Sequence, residues 1–174
     1  MSEPGSRRAT PDGGFTLTEL IVTVMVIAII SVIAVPRMGN DPVLLSTQAE
    51  QLANDIRYLQ SLAMTQATTT PGQARYRINF VSASTYTFTK ADGTAVPHPL
   101  TGSTAAIGLS SGVTMTTNLG GSLIGFDGQG IPYTDAAVSV PLGVGATAII
   151  TLTKNPATPR TVTVAPQTGL VRVP

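Results

Sequence analysis

The 21 residues from Phe15 to Val35, "FTLTELIVTVMVIAIISVIAV", carry a single charge, Glu19. As a helix rising 1.5 Å per residue, a run of that length spans about 30 Å, one hydrocarbon thickness of a bilayer. A carboxylate on such a helix is costly. On insertion scales the penalty is about 2.5–3.5 kcal/mol at mid-membrane and falls toward the interface. Either the segment is no membrane span, or something pairs with Glu19. Pro36 closes the run, and a kink or break is expected there.

The flanks give a weak orientation. Residues 1–14, "MSEPGSRRATPDGG", are polar, rich in Gly and Pro, and without hydrophobic periodicity, the composition of a disordered leader. Arg7 and Arg8 precede the apolar run, which under the positive-inside rule leaves the leader in the cytoplasm. Glu3, Asp12 and Arg37 dilute that signal.

Beyond the run, Leu45, Ala49, Leu52, Ile56, Leu59 and Ala63 recur at alternating spacings of four and three. This stripe predicts an amphipathic helix over about 43–67, with Gln48, Asp55 and Gln66 on a face turned to water. "TTTPG" ends it. From residue 74 onward the pattern is strand-like. Tyr76, Ile78 and Phe80, then Tyr86 and Phe88, alternate onto single faces, and Asp92-Gly93 makes a turn. Further strands are expected at 113–118, 122–126, 146–153 and 160–165, the last entering a terminal hairpin through "PQTG" to "LVRV". The stretch 94–112 is expected as a long loop. The predicted class is α+β: a long N-terminal helical region, then an antiparallel sheet with one face covered by the helix stripe.

Three readings of the N-terminal block compete. A secretory signal peptide has an n-region in Arg7-Arg8 and a possible cut after Val32-Ile33-Ala34, but its apolar core is usually ~7–15 residues. A plain membrane anchor fits the length. Neither explains Glu19. The third reading does: "GFTLTELIVTVMVIAIISVIAVP" resembles the N-terminus of type IV pilins and type II secretion pseudopilins. In that family a prepilin peptidase cuts after a glycine and methylates the new N-terminal residue. The resemblance implies cleavage between Gly14 and Phe15, N-methylation of Phe15, an assembly role for Glu19 and a helix kink at Pro36. It also implies that the amine freed at Phe15 pairs with the glutamate of its own or a neighbouring subunit. A displaced subunit would then leave one charge buried alone.

The rest of the chain resembles the GspH/FimT branch of minor pilins and pseudopilins, through "LANDIRYLQSLAMTQ", "YRINF", "GFDGQGIP" (125–132) and "VTVAPQTGLVRV". The implied organisation is a leader over 1–14, a transmembrane and assembly helix over 15–36, and a soluble head over 37–174. The implied location is the bacterial inner membrane, single-pass with the head in the periplasm, and then a pilus or pseudopilus. The implied partners are other pilins or pseudopilins through the N-terminal helix, and the prepilin peptidase. Some relatives in this branch are thought to bind DNA through a basic C-terminal segment. Lys154, Arg160 and Arg172 are the corresponding cations, weighed against a reading as solvated strand-edge charges. The alternative function is thus a DNA-uptake or adhesive module displayed by a pilus.

Little else carries chemistry. The net charge of +1 gives no general attraction to polyanions. Without cysteine there is no disulfide and no thiolate metal site. His98, the single histidine, sits in a Pro-flanked loop with no nucleophile motif and is expected to be exposed. Asp92-Gly93 and Asp127-Gly128-Gln129-Gly130 lack the acidic density of a calcium loop and are expected as turns. "GVGAT" (143–147) lacks the Lys-Ser/Thr of a phosphate loop. Tyr58, Tyr76, Phe80, Tyr86 and Phe88 are expected in the core. No enzyme, cofactor or metal is predicted.

Overall fold

The computed structural model describes residues 16–34, 41–66, 75–137 and 139–174. The chain divides into two compact units, Met1–Gly39 and Asn40–Pro174. In the first, helix α1 runs over Leu17–Ala34. Its 18 residues extend about 27 Å. Among the described residues no helix is long and apolar enough to cross a membrane.

The second unit opens with helix α2, Asp41–Thr65. The six residues of the predicted stripe, Leu45 to Ala63, are all fully buried. At about 1.5–3 kcal/mol for each large apolar side chain removed from water, that stripe is what holds the helix in place. Among the described residues nine strands follow: β1 (Tyr76–Ser82), β2 (Thr85–Lys90), β3 (Ile107–Gly108), β4 (Thr114–Thr117), β5 (Leu123–Phe126), β6 (Pro132–Tyr133), β7 (Ala148–Lys154), β8 (Ala157–Val164) and β9 (Val171–Arg172).

The α+β expectation holds, but the single sheet is corrected to two, ordered β3-β2-β1-β5-β6 and β4-β7-β8-β9. The reason lies in the pairing. β1 has β2 on one side and β5 on the other, while β7 is taken by β4 and β8, so the two ladders close separately. Alternation along a strand reports which face is buried and not which strand lies beside it. Helix α2 packs against β1 and β5 of one sheet and β7, β8 and β9 of the other. The core therefore forms where α2 meets both sheets: Ile78, Phe88, Ile124 and Phe126 from the first, Met115, Ile150, Leu152, Val162 and Val164 from the second. The predicted loop over 94–112 contains the short strand β3, paired with β2 through Tyr86 and Ile107.

Candidate functional site

Helix α1 begins at a Thr-Leu-Thr-Glu stretch. The Thr16 hydroxyl oxygen accepts a hydrogen bond from the Glu19 backbone N–H at 3.2 Å, an N-cap that satisfies one of the free donors of the first turn. Glu19 stands in that turn, where a carboxylate complements the positive end of the helix dipole. This is a local reason for an acid at the position. Among the described residues, however, no cation pairs with it.

The remainder of α1 is apolar on every side. Each large apolar side chain from Leu17 to Ile30 is between 48% and 79% exposed. An amphipathic surface helix shows one apolar stripe; an apolar circumference belongs to lipid or to a bundle interior. The polar groups fit such surroundings, because the Thr23 and Ser31 hydroxyls donate to the Leu20 and Ile27 carbonyls of the same helix at 2.9 and 2.7 Å. Gly14, Phe15 and Pro36, the predicted cleavage, methylation and kink positions, lie outside the described residues.

In the head, the structure brings three of the resemblance-bearing stretches together around one side chain. Gln60 of α2 donates from Nε2 to the Gly130 carbonyl at 3.0 Å and to the Thr168 carbonyl at 3.0 Å. The helix is thereby tied to the turn before β6 and to the turn between β8 and β9. Gly169 adopts φ +63, and a Cβ there would sit 2.5 Å from the Gly130 oxygen, so this contact tolerates no side chain. Nearby, Arg57 of the same helix donates to the Val171 carbonyl at 3.0 Å.

The predicted turns are present. Asp127 accepts from the backbone N–H groups of Gln129 and Ile131, each at 2.9 Å, and from the Tyr133 hydroxyl at 3.1 Å. Its oxygens serve the turn itself, and burial together with this carboxylate raises the Tyr133 phenol above its ordinary value. Asp92 accepts from Thr94 N–H at 2.8 Å, next to Gly93 with φ +88. Tyr76, Phe80, Tyr86 and Phe88 are core residues, and Tyr58 packs on the core's edge.

Two expectations are corrected. Asp55, assigned above to the water-facing side of α2, is 3% exposed, and His98, expected to be exposed, is also 3% exposed. They meet each other. His98 Nε2 lies 3.1 Å from Asp55 Oδ1, and the Tyr86 hydroxyl donates to Asp55 Oδ2 at 2.6 Å. Burial, then the Asp55 carboxylate, push the Tyr86 phenol far above its usual range. A signal for Asp55 was present. It stands three residues after Leu52 and four before Leu59, which places it on the flank of the buried stripe. For His98 no comparable signal exists, since its burial depends on a long-range meeting of loop and helix.

The basic C-terminal residues do not converge. Arg160 is paired in register with Leu152, and Arg172 with Thr163. Arg160 and Thr163 are three residues apart on β8, so strand alternation points Arg160 and Arg172 to opposite faces of the sheet. Lys154 lies at the far end of β7, opposite Ala157.

Comparison with known proteins bears on both units. Residues 11–35 match the prokaryotic N-terminal methylation motif. No curated protein matches the chain in sequence. In structure, the chain is similar to the type IV minor pilin FimU of Pseudomonas aeruginosa, with 14% identity and a TM-score of 0.51, over 78% of this chain and 91% of that one. It is likewise similar to the minor pseudopilin EpsH of the Vibrio cholerae type 2 secretion system, with 14% identity and a TM-score of 0.52, over 75% of this chain and 95% of that one. At that identity the likeness establishes the fold, and the motif at the N-terminus is the independent second observation. The methylation motif over the apolar helix and the pilin-like fold of the rest of the chain together support the type IV pilin and pseudopilin family.

Proposed function

We propose that this pilin-type structural subunit is a minor pilin or pseudopilin that assembles into, primes or tips a type IV pilus or type II secretion pseudopilus after its leader is removed. The observation that carries the reading is α1: apolar around its circumference, exposed from Leu17 to Ile30, with a carboxylate in its first turn that no cation among the described residues pairs with. Before assembly the run from Phe15 to Val35 lies in the bacterial inner membrane as a single span, with residues 1–14 in the cytoplasm and the head, 37–174, in the periplasm. A prepilin peptidase cuts between Gly14 and Phe15 and methylates Phe15. In the filament, helices of neighbouring subunits replace lipid around α1, Pro36 kinks the chain between span and head, and the Phe15 amine pairs with Glu19. In a low-dielectric bundle that pair discriminates register, because a shifted neighbour strands a charge.

The first test is the N-terminal residue and intact mass of the protein from its native membrane. A chain starting at Phe15 and heavier by one methyl group is the expected result. A start at Val35 would mean an ordinary signal peptide, and an intact Met1 a plain anchor; either overturns the assembly reading. Glu19→Gln sharpens it. The variant is expected to keep a folded head and to be lost from filaments, whereas normal incorporation would leave the helix dipole as the whole reason for Glu19.

The DNA-uptake or adhesive alternative rests on Lys154, Arg160 and Arg172. It has the weaker support, since phosphate binding gains from clustered cations and these are dispersed over two faces of one sheet.

A further inference from the structure

The Asp55–His98–Tyr86 cluster is not used by the assembly reading, and it ties a surface loop to the core. The loop after β2 is closed by backbone hydrogen bonds from His98 N–H to the Ser103 carbonyl and from Gly102 N–H to the His98 carbonyl, both 2.8 Å. The His98 ring is its only deep anchor: it stacks on Phe88 with ring centroids 5.7 Å apart and reaches Asp55 of α2. Pro99 and Leu100 then form one wall of a groove of about 610 Å³ whose other wall is α2, from Ser46 to Asp55.

Hydrogen bonding sets the proton positions. The Leu100 backbone N–H points at His98 Nδ1 at 3.3 Å, and an N–H can only donate, so Nδ1 is the acceptor. Nε2 then carries the proton and donates to Asp55, whose other oxygen receives the Tyr86 hydroxyl. Every buried side-chain polar atom among the described residues is satisfied in this arrangement. A second ring proton would go on Nδ1 and face the Leu100 donor, so that bond must break. The Thr101 hydroxyl, 3.4 Å from Nδ1, is the one group placed to accept instead. The titratable groups facing the ring are Asp55 from α2 and, through the shared carboxylate, Tyr86 from β2; Phe88 offers only its ring face. Glu50, on α2, lines the adjoining groove.

We propose that His98 is a proton-operated latch. Neutral, it holds the 98–103 loop against α2; protonated, it keeps its contact with Asp55 and releases the Leu100 amide, freeing the Pro99–Leu100 wall of the groove.

The test uses the full chain in detergent micelles, followed by NMR from pH 8 downward. His98 is the single histidine, so its ring signals need no separation from others. The expected result at high pH is the Nε2–H tautomer. As the ring takes up its second proton, the protection factor of the Leu100 amide, taken against intrinsic exchange at each pH, should fall about tenfold, the loss of one hydrogen bond, while those of Leu52 and Ile150 hold. Asp55→Asn removes the carboxylate that receives Nε2–H, so the preference for the Nε2–H tautomer at high pH should be lost. Thr101→Ala, a gentler change on the loop, removes only the replacement acceptor and should leave that tautomer as it is. An Nδ1–H tautomer at high pH would overturn the proposal. So would ring protonation with no change at Leu100, or a ring that stays neutral until the head unfolds.

Discussion

Helices α1 and α2 share a backbone conformation and almost nothing else. In α2 the apolar residues form one stripe that is fully buried against two sheets, and the flanks are polar. In α1 the apolar residues surround the axis, and its large side chains are roughly half exposed or more. The α2 stripe exchanges water for the chain's own core. The large apolar side chains of α1 stay exposed, and on the assembly reading proposed above lipid or neighbouring subunits cover them.

Charge insertion breaks this comparison most sharply. Leu52→Asp or Ile56→Asp buries an unpaired carboxylate among groups that cannot solvate it. The cost is several kcal/mol, comparable to the whole ~5–15 kcal/mol of a domain's stability. Neither variant should show a cooperative melt by circular dichroism, and a melt like that of the unchanged chain would sink the packing account. Ile27→Asp introduces the same charge on α1. It should leave the melting of the head within about 0.5 kcal/mol of the unchanged chain while impairing membrane retention.

Gln60→Ala is the intermediate case. It removes both hydrogen bonds from the α2 amide to the Gly130 and Thr168 carbonyls. Thr168 is exposed, so its carbonyl can turn to water once the amide is gone, whereas Gly130 is buried, and the loss is about 1–2 kcal/mol. Faster amide exchange should be confined to the 127–132 and 165–171 turns. A uniform loss across the head would mean that Gln60 supports the core rather than the junction of the two turns.

The legible parts of this molecule are those where a local period or a local motif carries the information. The α2 stripe, the buried faces of β1 and β2, and the Asp92 and Asp127 turns could all be read from neighbouring residues. The partition into two sheets could not, because β1 and β5, or β4 and β7, are distant in sequence and alternate alike. The Asp55–His98 meeting was hidden for a related reason. A charged residue at the edge of a stripe and a histidine in a Pro-flanked loop are each ordinary on their own, and only the return of the loop to α2 makes them a pair. At the N-terminus the situation reverses: the motif over 11–35 is compact in sequence, so it could be read from neighbouring residues.

The smallest expected effect separates surface order from core stability. Asp135 is held at about 2, below the usual carboxylate range, chiefly by the Val140 backbone N–H and then by the Ser139 hydroxyl and N–H. Its folded-state value is depressed, so its contribution is present above the unfolded value near 4 and is lost as pH falls through about 2. Acidification across that window should therefore loosen the loop that Asp135 closes, seen as lower protection factors, against intrinsic exchange at each pH, for the Ser139 and Val140 amides, whose hydrogen bonds it accepts at 2.8 and 2.7 Å. Because the carboxylate is on the surface, the midpoint of global melting should barely follow. Asp135→Asn should abolish the pH dependence at those two amides and leave α2 unaffected. If the α2 amides lost protection in step with the loop, the loop would be coupled to the core, and the independence of surface and stripe assumed above would fail.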